Sequence, residues 1–502
     1  MNTSLKEILN FKKIAQAKAK KNILLINPRR DNCDVYIPHM GLAMLASILK
    51  KRGHEVVVID YVLTPNAPQV SYFLNKYRPD VVGISMITGT FYESIDIMKK
   101  IKLHYPKLPV IVGGPHASLY PEHLKKIKGI DYVVVGEAEY IIIDLVEKAK
   151  KNISAEIIYP KTIVDPKLLP YPDYTAFHNW KEINHYSIMT SRGCPFRCSF
   201  CAVCHVGQKK WRPRDPEDCI KELEYAKKIL NKKFTVFVQD DNPLVIPERF
   251  YDFLRLFIKR INLPIHVINV RADSINEKYL NLIKKAGIDT VGIAVESANP
   301  EVFKMINKGE SLETIEKAVG LIKKHKMSLN FCFIIGLPGD NLERVKDSIN
   351  FVNKHKPEIV YLNMVIPFKK TDIRKWFEMN GTIFDEIGKS TGISRKSKIR
   401  CDVPPVETPD FTRWQREKAY YMFLFRTVHD VLKLRHVVEI FKIAAEYKEI
   451  NNFLYWLPRG IMKSIKKKIM LLFRFFYFLK KWGLKQTLNR TVIFFKNRTK
   501  KN

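Results

Sequence analysis

Thr190-Ser191-Arg192-Gly193-Cys194-Pro195-Phe196-Arg197-Cys198-Ser199-Phe200-Cys201 puts three thiols on one short loop at the spacing Cys-x3-Cys-x2-Cys. Such a loop can wrap a cubane and set three sulfurs on three irons. A four-iron–four-sulfur cluster held this way keeps one iron without a protein ligand. An open metal position is where a cofactor or substrate coordinates. Cys204 keeps a second arrangement open, because four cysteines in one run also close a structural zinc site. Cys204 is read as an unligated thiol, and Cys33, Cys219, Cys332 and Cys401 as isolated ones.

The loop follows a β-branched run, Tyr186–Thr190, and further runs continue the pattern: Phe234–Gln239, Ile265–Arg271, Thr290–Val295, Leu329–Ile335 and Ile359–Met364. Helical stretches such as Pro216–Leu230, Pro247–Ile261 and Leu342–His355 fill the gaps. Six strand–helix units predict an open, partial (β/α)6 form of the eight-unit barrel, with chemistry at the carboxyl ends of its strands. Upstream, residues 22–150 alternate five times between short apolar strands (Asn22–Asn27, Glu55–Asp60, Asp80–Ser85, Pro109–Gly114, Asp131–Val135) and helices (Gly41–Arg52, Val70–Tyr77, Glu93–His104, Pro121–Lys128, Glu137–Lys150). That pattern predicts a flavodoxin-like doubly wound parallel sheet covered on both faces, with ligands at the strand tips near the switch in strand order. The fold class is therefore α/β. The expected organisation is a helical extension at 1–21, the doubly wound domain at 22–150, a proline-bearing linker at 151–185, the barrel at 186–375, a helical region at 376–455 and a basic amphipathic tail at 456–502. Phe411–Leu432 and His436–Tyr447 are the candidate helices of the helical region.

The chain has 502 residues, 46% of them apolar, which excludes a wholly disordered protein. Eight cysteines in that length exclude a disulfide scaffold and suit a reducing compartment. The first 21 residues lack the apolar centre of a secretory signal, so a cytoplasmic location is expected. The formal charge is +35, and residues 451–502 hold 14 Lys and Arg with no Asp or Glu. The tail also carries Ile469-Met470-Leu471-Leu472-Phe473-Arg474-Phe475-Phe476-Tyr477-Phe478-Leu479, too short to span a bilayer. Cations beside aromatic residues fit a helix lying at an anionic membrane surface, here the inner face. A helical cap on the protein and nucleic acid contact are the competing readings, and nucleic acid is not the expected partner.

The cysteine loop resembles that of the radical S-adenosylmethionine (SAM) superfamily, whose motif is Cys-x3-Cys-x2-Cys with an aromatic residue, here Phe200, before the last cysteine. The resemblance implies that Cys194, Cys198 and Cys201 ligate a 4Fe-4S cluster whose open iron takes the amino and carboxylate groups of SAM. One-electron reduction then yields a 5′-deoxyadenosyl radical that abstracts hydrogen from the substrate, with the barrel supplying orientation and water exclusion. Later strand ends fit the family in order. Gln239 and Asp240 stand where relatives carry polar residues near the SAM methionine or substrate, and Arg271 stands at a SAM or substrate contact. Gly292-Ile293-Ala294-Val295-Glu296-Ser297 resembles the fourth-strand pattern, with Glu296 or Ser297 at the SAM ribose or carboxylate. Phe333-Ile334-Ile335-Gly336-Leu337-Pro338-Gly339 resembles the fifth, where Gly336 lets the backbone approach adenine. Ile366-Pro367-Phe368-Lys369-Lys370-Thr371 departs from the Pro-Gly-Thr common in relatives.

The first domain lacks a Gly-x-Gly-x-x-Gly dinucleotide fingerprint. Its strand ends carry small and hydroxyl residues instead, namely Ser85 and Thr88, Gly113 and Gly114, and Gly136, which suit a large flat cofactor. Pro38-His39-Met40-Gly41-Leu42 and Gly113-Gly114-Pro115-His116 resemble the cobalamin-binding domain that precedes many radical SAM barrels. The Asp-x-His-x-x-Gly motif is absent, which implies cobalamin without a protein histidine on cobalt. The two resemblances cover residues 22–370. They imply a cobalamin-dependent radical SAM enzyme, most simply a methyltransferase acting on an unactivated carbon of an apolar substrate such as a membrane lipid. A cobalamin-using cyclase or oxidoreductase, an RNA-modifying radical enzyme and a non-catalytic zinc or cobalamin sensor are the alternatives. The implied electron donor is ferredoxin or flavodoxin.

Overall fold

The apolar runs of the first domain become a parallel sheet because residues on both faces of each strand must be covered. The computed structural model describes residues 16–427 except 18, 30–36, 65, 153, 207–209 and 385–403. The sheet is built from β1 (Asn22–Asn27), β2 (Glu55–Asp60), β3 (Val81–Ser85), β4 (Val110–Gly113), β5 (Tyr132–Val134) and β6 (Glu156–Ile158), in the order β2-β1-β3-β4-β5-β6. Every pairing is parallel. Leu24, Ile26, Val82, Val110 and Val133 are fully shielded from solvent. The intervening helices are α1 (Met40–Lys51), α2 (Val70–Tyr77), α3 (Phe91–His104), the short pair α4 (Pro115–Leu119) and α5 (Pro121–Lys125), and α6 (Ile142–Lys148). The strand order switches between β1 and β3, which opens a crevice at their carboxyl ends.

Two expectations change here. β6 falls inside the stretch read as linker, because three half-exposed residues at a sheet edge leave no periodicity to read. The helix read from Glu137 starts at Ile142 instead. Residues 136–141 form a loop, and its glutamates turn toward the second half of the chain. The rest of the linker runs along the first domain through three 3-10 turns and donates Asp173 N–H to the Ala43 carbonyl and His178 N–H to that of Val58.

The second half contains β7 (His185–Ile188), a hairpin of β8 (Ser191–Arg192) and β9 (Arg212–Pro213) with α7 (Val203–Val206) between them, α8 (Pro216–Leu230), β10 (Thr235–Val238), α9 (Pro247–Arg260), β11 (Ile265–Val267), α10 (Glu277–Lys285) and β12 (Thr290–Glu296). It continues through α11 (Pro300–Met305), α12 (Leu312–Lys324), β13 (Ser328–Ile335), α13 (Val345–His355), β14 (Ile359–Met364) and α14 (Asp372–Asn380). Local sequence sets these limits. Asp215 caps α8 by accepting the Glu217 N–H, Pro216 opens it, and Asn231 ends it in a left-handed conformation. On α9, Phe250, Tyr251, Phe253, Leu254 and Phe257 are all buried, each worth roughly 2 kcal/mol of transfer free energy.

The six expected strands pair as two parallel triplets, β11-β10-β7 and β12-β13-β14. β11 stops at Val267, not Arg271, because Asn269 adopts φ 61° and the chain then enters a 3-10 turn at Ala272–Ser274. A short hairpin, β15 (Thr382–Ile383) with β16 (Val406–Glu407), and helix α15 (Arg413–Thr427) follow. One compact unit runs to Tyr420 and a second begins at Tyr421. The expected helix at His436–Tyr447 and the basic tail at 456–502 lie outside the described residues, as do Cys33 and Cys401.

Charge joins the doubly wound domain to the cysteine hairpin. Glu137 forms a fork-to-fork pair with Arg212, 2.7 Å at both contacts, and Glu139 accepts from Arg192 at 2.6 Å. All four side chains are at most 20% exposed, so solvent screening is weak. Glu137→Ala is expected to lower unfolding stability by about 2 kcal/mol, because Arg212 is left without its bidentate partner. Urea unfolding of the cofactor-free protein checks this.

Candidate active site

The cysteine loop owes its shape to the tip of β10. The Asp240 carboxylate accepts Thr190 N–H at 2.6 Å, Thr190 Oγ1 at 2.7 Å and Ser191 Oγ at 2.5 Å. Arg249 holds the same residue from the other side through Thr190 O and Oγ1. Asp241 accepts the Gly193 N–H at 2.9 Å. Gly193 has φ 82°, and any side chain there would collide with the Lys210 carbonyl. Further along, Ser199 donates its N–H to Ile306 O (2.9 Å) and its carbonyl accepts Ile373 N–H (3.1 Å). The loop is thus clamped on both sides of Cys198.

Cys194, Cys198 and Cys201 are all half-buried and free. Burial raises all three thiols, Cys201 to about 12, while Lys308 and Arg271 oppose the rise at Cys198. Iron coordination would deprotonate them outright. Cys204 is buried and directs its thiol at the Cys201 carbonyl. Among the described residues no three His, Cys, Asp or Glu gather closely enough to hold a single metal ion.

The remaining candidate residues distribute as follows. Phe200 is half-buried in the loop, and Gln239 is half-buried where its N–H meets Ile188 O. Asp240 is consumed by Thr190 and Ser191, so it shapes the loop. Arg271 lies 3.7 Å from the centroid of the Phe196 ring and donates to Lys308 O, Gly309 O and Asp273. Ser297 Oγ accepts Asn299 N–H. Glu296 ends β12 with φ 65°, a conformation costly for a side-chain-bearing residue. Its Oε2 is buried without a hydrogen-bond partner, and burial raises the carboxyl to about 7 against the pull of Lys308. Gly336 has φ 85° and its carbonyl accepts from Arg416 at 2.6 Å. Arg416 lies fully buried over Phe411 and Phe377, and a side chain at Gly336 would run into its guanidinium.

At the strand tips of the first domain a cavity of about 450 Å3 runs between the sheet and helices α1 and α6. Leu25, Ile111, Leu45 and Ile142 wall its apolar depth. Ser85, Gly113, Gly114 and Gly136 line it, and Arg192, Gly193 and Val206 of the cysteine hairpin close it together with Asp241 beyond the tip of β10. Thr88 does not line it, since its hydroxyl turns to His116 Nδ1 at 3.1 Å. His39 also lines the cavity, but Nδ1 accepts the Leu42 N–H and Nε2 meets Ser85 Oγ, so both ring nitrogens are engaged. His116 is fully buried, and burial holds its pKa at about 3. The donor set thus fits a three-cysteine cluster. The cavity, apolar at depth and rimmed by residues without bulk, fits a flat cofactor with an extended tail.

Sequence reasoning missed Arg212 and Arg416, and it noted Glu137, Glu139 and Asp241 only as strand-end residues without a role of their own. The run Gly136-Glu137-Ala138-Glu139 carries the signal for the two glutamates, since carboxylates at a strand tip ahead of a ligand crevice need cations.

Comparison with known proteins follows the same division of the chain. The Radical SAM superfamily pattern matches residues 188–352 and that of the B12 binding domain residues 29–146. An uncharacterized methyltransferase of Pyrococcus horikoshii is 30% identical over 325 residues, 60% of this chain and 70% of its own. The anaerobic magnesium-protoporphyrin IX monomethyl ester cyclase of Rubrivivax gelatinosus is 26% identical over 402 residues, 74% of this chain and 70% of its own. Among solved structures, the radical SAM methyltransferase TsrM from Kitasatospora setae, with cobalamin and a 4Fe-4S cluster bound, shares the fold with a TM-score of 0.56 at 19% identity, over 71% of this chain and 77% of that one. The chain belongs to the radical SAM superfamily, among the members that carry a B12-binding domain ahead of the barrel. It is a cobalamin-dependent radical SAM enzyme, and its cofactors are a 4Fe-4S cluster, SAM and cobalamin.

A carboxyl held above its ordinary value contributes stability in its protonated form. That contribution is complete below the unfolded pKa and lost as the pH rises through the folded one. The ligand-free protein is therefore expected to melt at progressively lower temperature from pH 5 to pH 8. Glu296→Gln should flatten that profile by about 3 kcal/mol. Thermal melts across this range measure it.

Proposed function

We propose that the enzyme is a C-methyltransferase acting on an unactivated carbon of an apolar substrate. The observation that carries the reading is the cavity whose one wall is the strand tips of the B12-binding domain and whose other wall is the cysteine hairpin. When bound, SAM on the cluster supplies the hydrogen-abstracting radical, and cobalamin supplies the methyl group to a carbon too poor a nucleophile for direct transfer from SAM.

In this reading Cys194, Cys198 and Cys201 hold the cluster, and Asp240, Arg249 and Asp241 fix the loop that bears them. Glu296, with its unpartnered oxygen, receives a donor group of SAM, and the Gly336 turn lies along adenine. Ser85, Gly113, Gly114 and Gly136 leave room for the corrin edge. Alternation on β13 bears on the substrate's charge. Leu329, Phe331, Phe333 and Ile335 are buried, so Asn330, Cys332 and Ile334 face the other way, with Tyr361 and Asn363 of β14 in register with the last two. That wall is uncharged, as a neutral substrate requires.

A cyclase without methyl transfer is the second reading, favoured by the likeness to the magnesium-protoporphyrin ester cyclase over 74% of the chain. The protein is further read as cytoplasmic, with the tail at 456–502 resting on the inner membrane face and delivering a lipid substrate. Ferredoxin or flavodoxin is the expected donor. Among the described residues no helix is long and apolar enough to cross a membrane.

Anaerobically reconstituted enzyme, reduced in the presence of SAM and candidate substrates, is expected to release 5′-deoxyadenosine and a product heavier by one methylene unit. Deoxyadenosine with a product altered but carrying no added carbon selects the cyclase reading, and no deoxyadenosine at all counts against both. The membrane reading is checked by cosedimentation with anionic liposomes. The full chain is expected to pellet with them, and a chain ending near Tyr455 to remain in the supernatant.

A further inference from the structure

A second cavity, also about 450 Å3, opens where the start of α14 meets helices α4 and α5. It is lined by Lys369, Lys370, Arg374 and Lys375 against the carboxylates of Glu122 and Glu378. Glu378 is already paired with Arg374 at 2.6 Å. Lys369, Lys370 and Lys375 are exposed. Lys370 Nζ donates to Ser118 O at 2.7 Å, and Lys375 stands 3.8 Å from Asp372. Four cations against Glu122, Glu378 and Asp372 still leave the concavity net positive, with Lys369 and Lys375 turned to solvent.

Its position gives that charge a use. The first turn of α14 forms one rim, and Ile373 in that turn donates its N–H to the carbonyl of Ser199, which lies between Cys198 and Cys201. The opposite rim holds Tyr120, whose hydroxyl meets Lys369 N–H at 3.4 Å and whose ring stacks on His116 at 4.7 Å. His116 in turn bonds Thr88, in the loop after β3 of the B12-binding domain. The basic concavity thus abuts the cluster loop on one side and the B12-binding domain on the other. None of the residues assigned to the cluster, SAM or cobalamin lines it. A reductant must arrive from outside, one electron at a time, and clustered cations accelerate and orient the approach of an acidic protein.

We propose that this concavity is the docking site of an acidic, low-potential one-electron carrier protein, with Lys369 and Lys375 as its contact charges. The proposal rests on the radical SAM assignment. The carrier is oxidised by one electron and the cluster reduced by one, with no group passing between the proteins.

The test uses reconstituted holoenzyme and the doubly charge-reversed variant Lys369→Glu/Lys375→Glu. SAM cleavage is driven either by flavodoxin with its reductase or by dithionite, which needs no docking. With flavodoxin the variant is expected to show a KM for the carrier raised about tenfold and a weaker dependence on ionic strength. Binding of oxidised flavodoxin, followed by calorimetry, should weaken in parallel. The dithionite rate and the cluster absorption should match those of the unaltered enzyme. Unchanged flavodoxin kinetics and binding overturn the proposal, as does a loss of the dithionite rate confined to the variant, which would make these lysines part of the cluster loop's scaffold. Absence of SAM cleavage with dithionite in the unaltered enzyme would instead overturn the assignment on which the proposal rests.

Discussion

The contact on which the two halves depend is the exchange of charge between Arg192 and Arg212 of the cysteine hairpin and Glu137 and Glu139 of the B12-binding domain. Apolar packing alone would let the domains slide, since a methyl group has no preferred partner. A forked guanidinium–carboxylate pair accepts one geometry. Because all four side chains line the cavity, the geometry they fix is the gap between the strand tips and the cysteine loop. Their partial burial makes each cation costly to leave alone, so the arrangement tolerates little drift.

Within the hairpin, order comes mostly from backbone groups and from side chains other than the thiols. Asp240 and Asp241 stand next to each other in sequence and do different work. Asp240 is fully buried and binds the first residues of the loop, whereas Asp241 takes a single backbone donor and turns toward the cavity. Ser199 is tied at both its amide and its carbonyl. The loop that bears the cysteines is thereby tied at its start and between Cys198 and Cys201.

The first-domain strands were legible from composition because a fully buried parallel strand must be almost wholly apolar, and β1, β2 and α2 end where the residue pattern ends. β6 was not, since three residues paired on one edge need little hydrophobicity. The break after β11 escaped because Asn269 reads as an ordinary polar residue until its left-handed backbone is seen. The cysteines were legible because spacing on one loop is a local property. Asp240 was picked out for its position at a strand tip, yet its partners lie 50 residues earlier, and no local pattern shows that its oxygens are already used. The salt bridges spanning 53 and 75 residues were invisible for the same reason.

Arg416 reaches back 80 residues to the carbonyl of Gly336. On the ribosome, the cysteine hairpin and every barrel strand leave the exit tunnel before that guanidinium does. The turn beside Gly336 therefore gains this partner only after the cysteine loop has been made. The loop and the strands before Gly336 are thus complete before the side chain that holds its turn has been made.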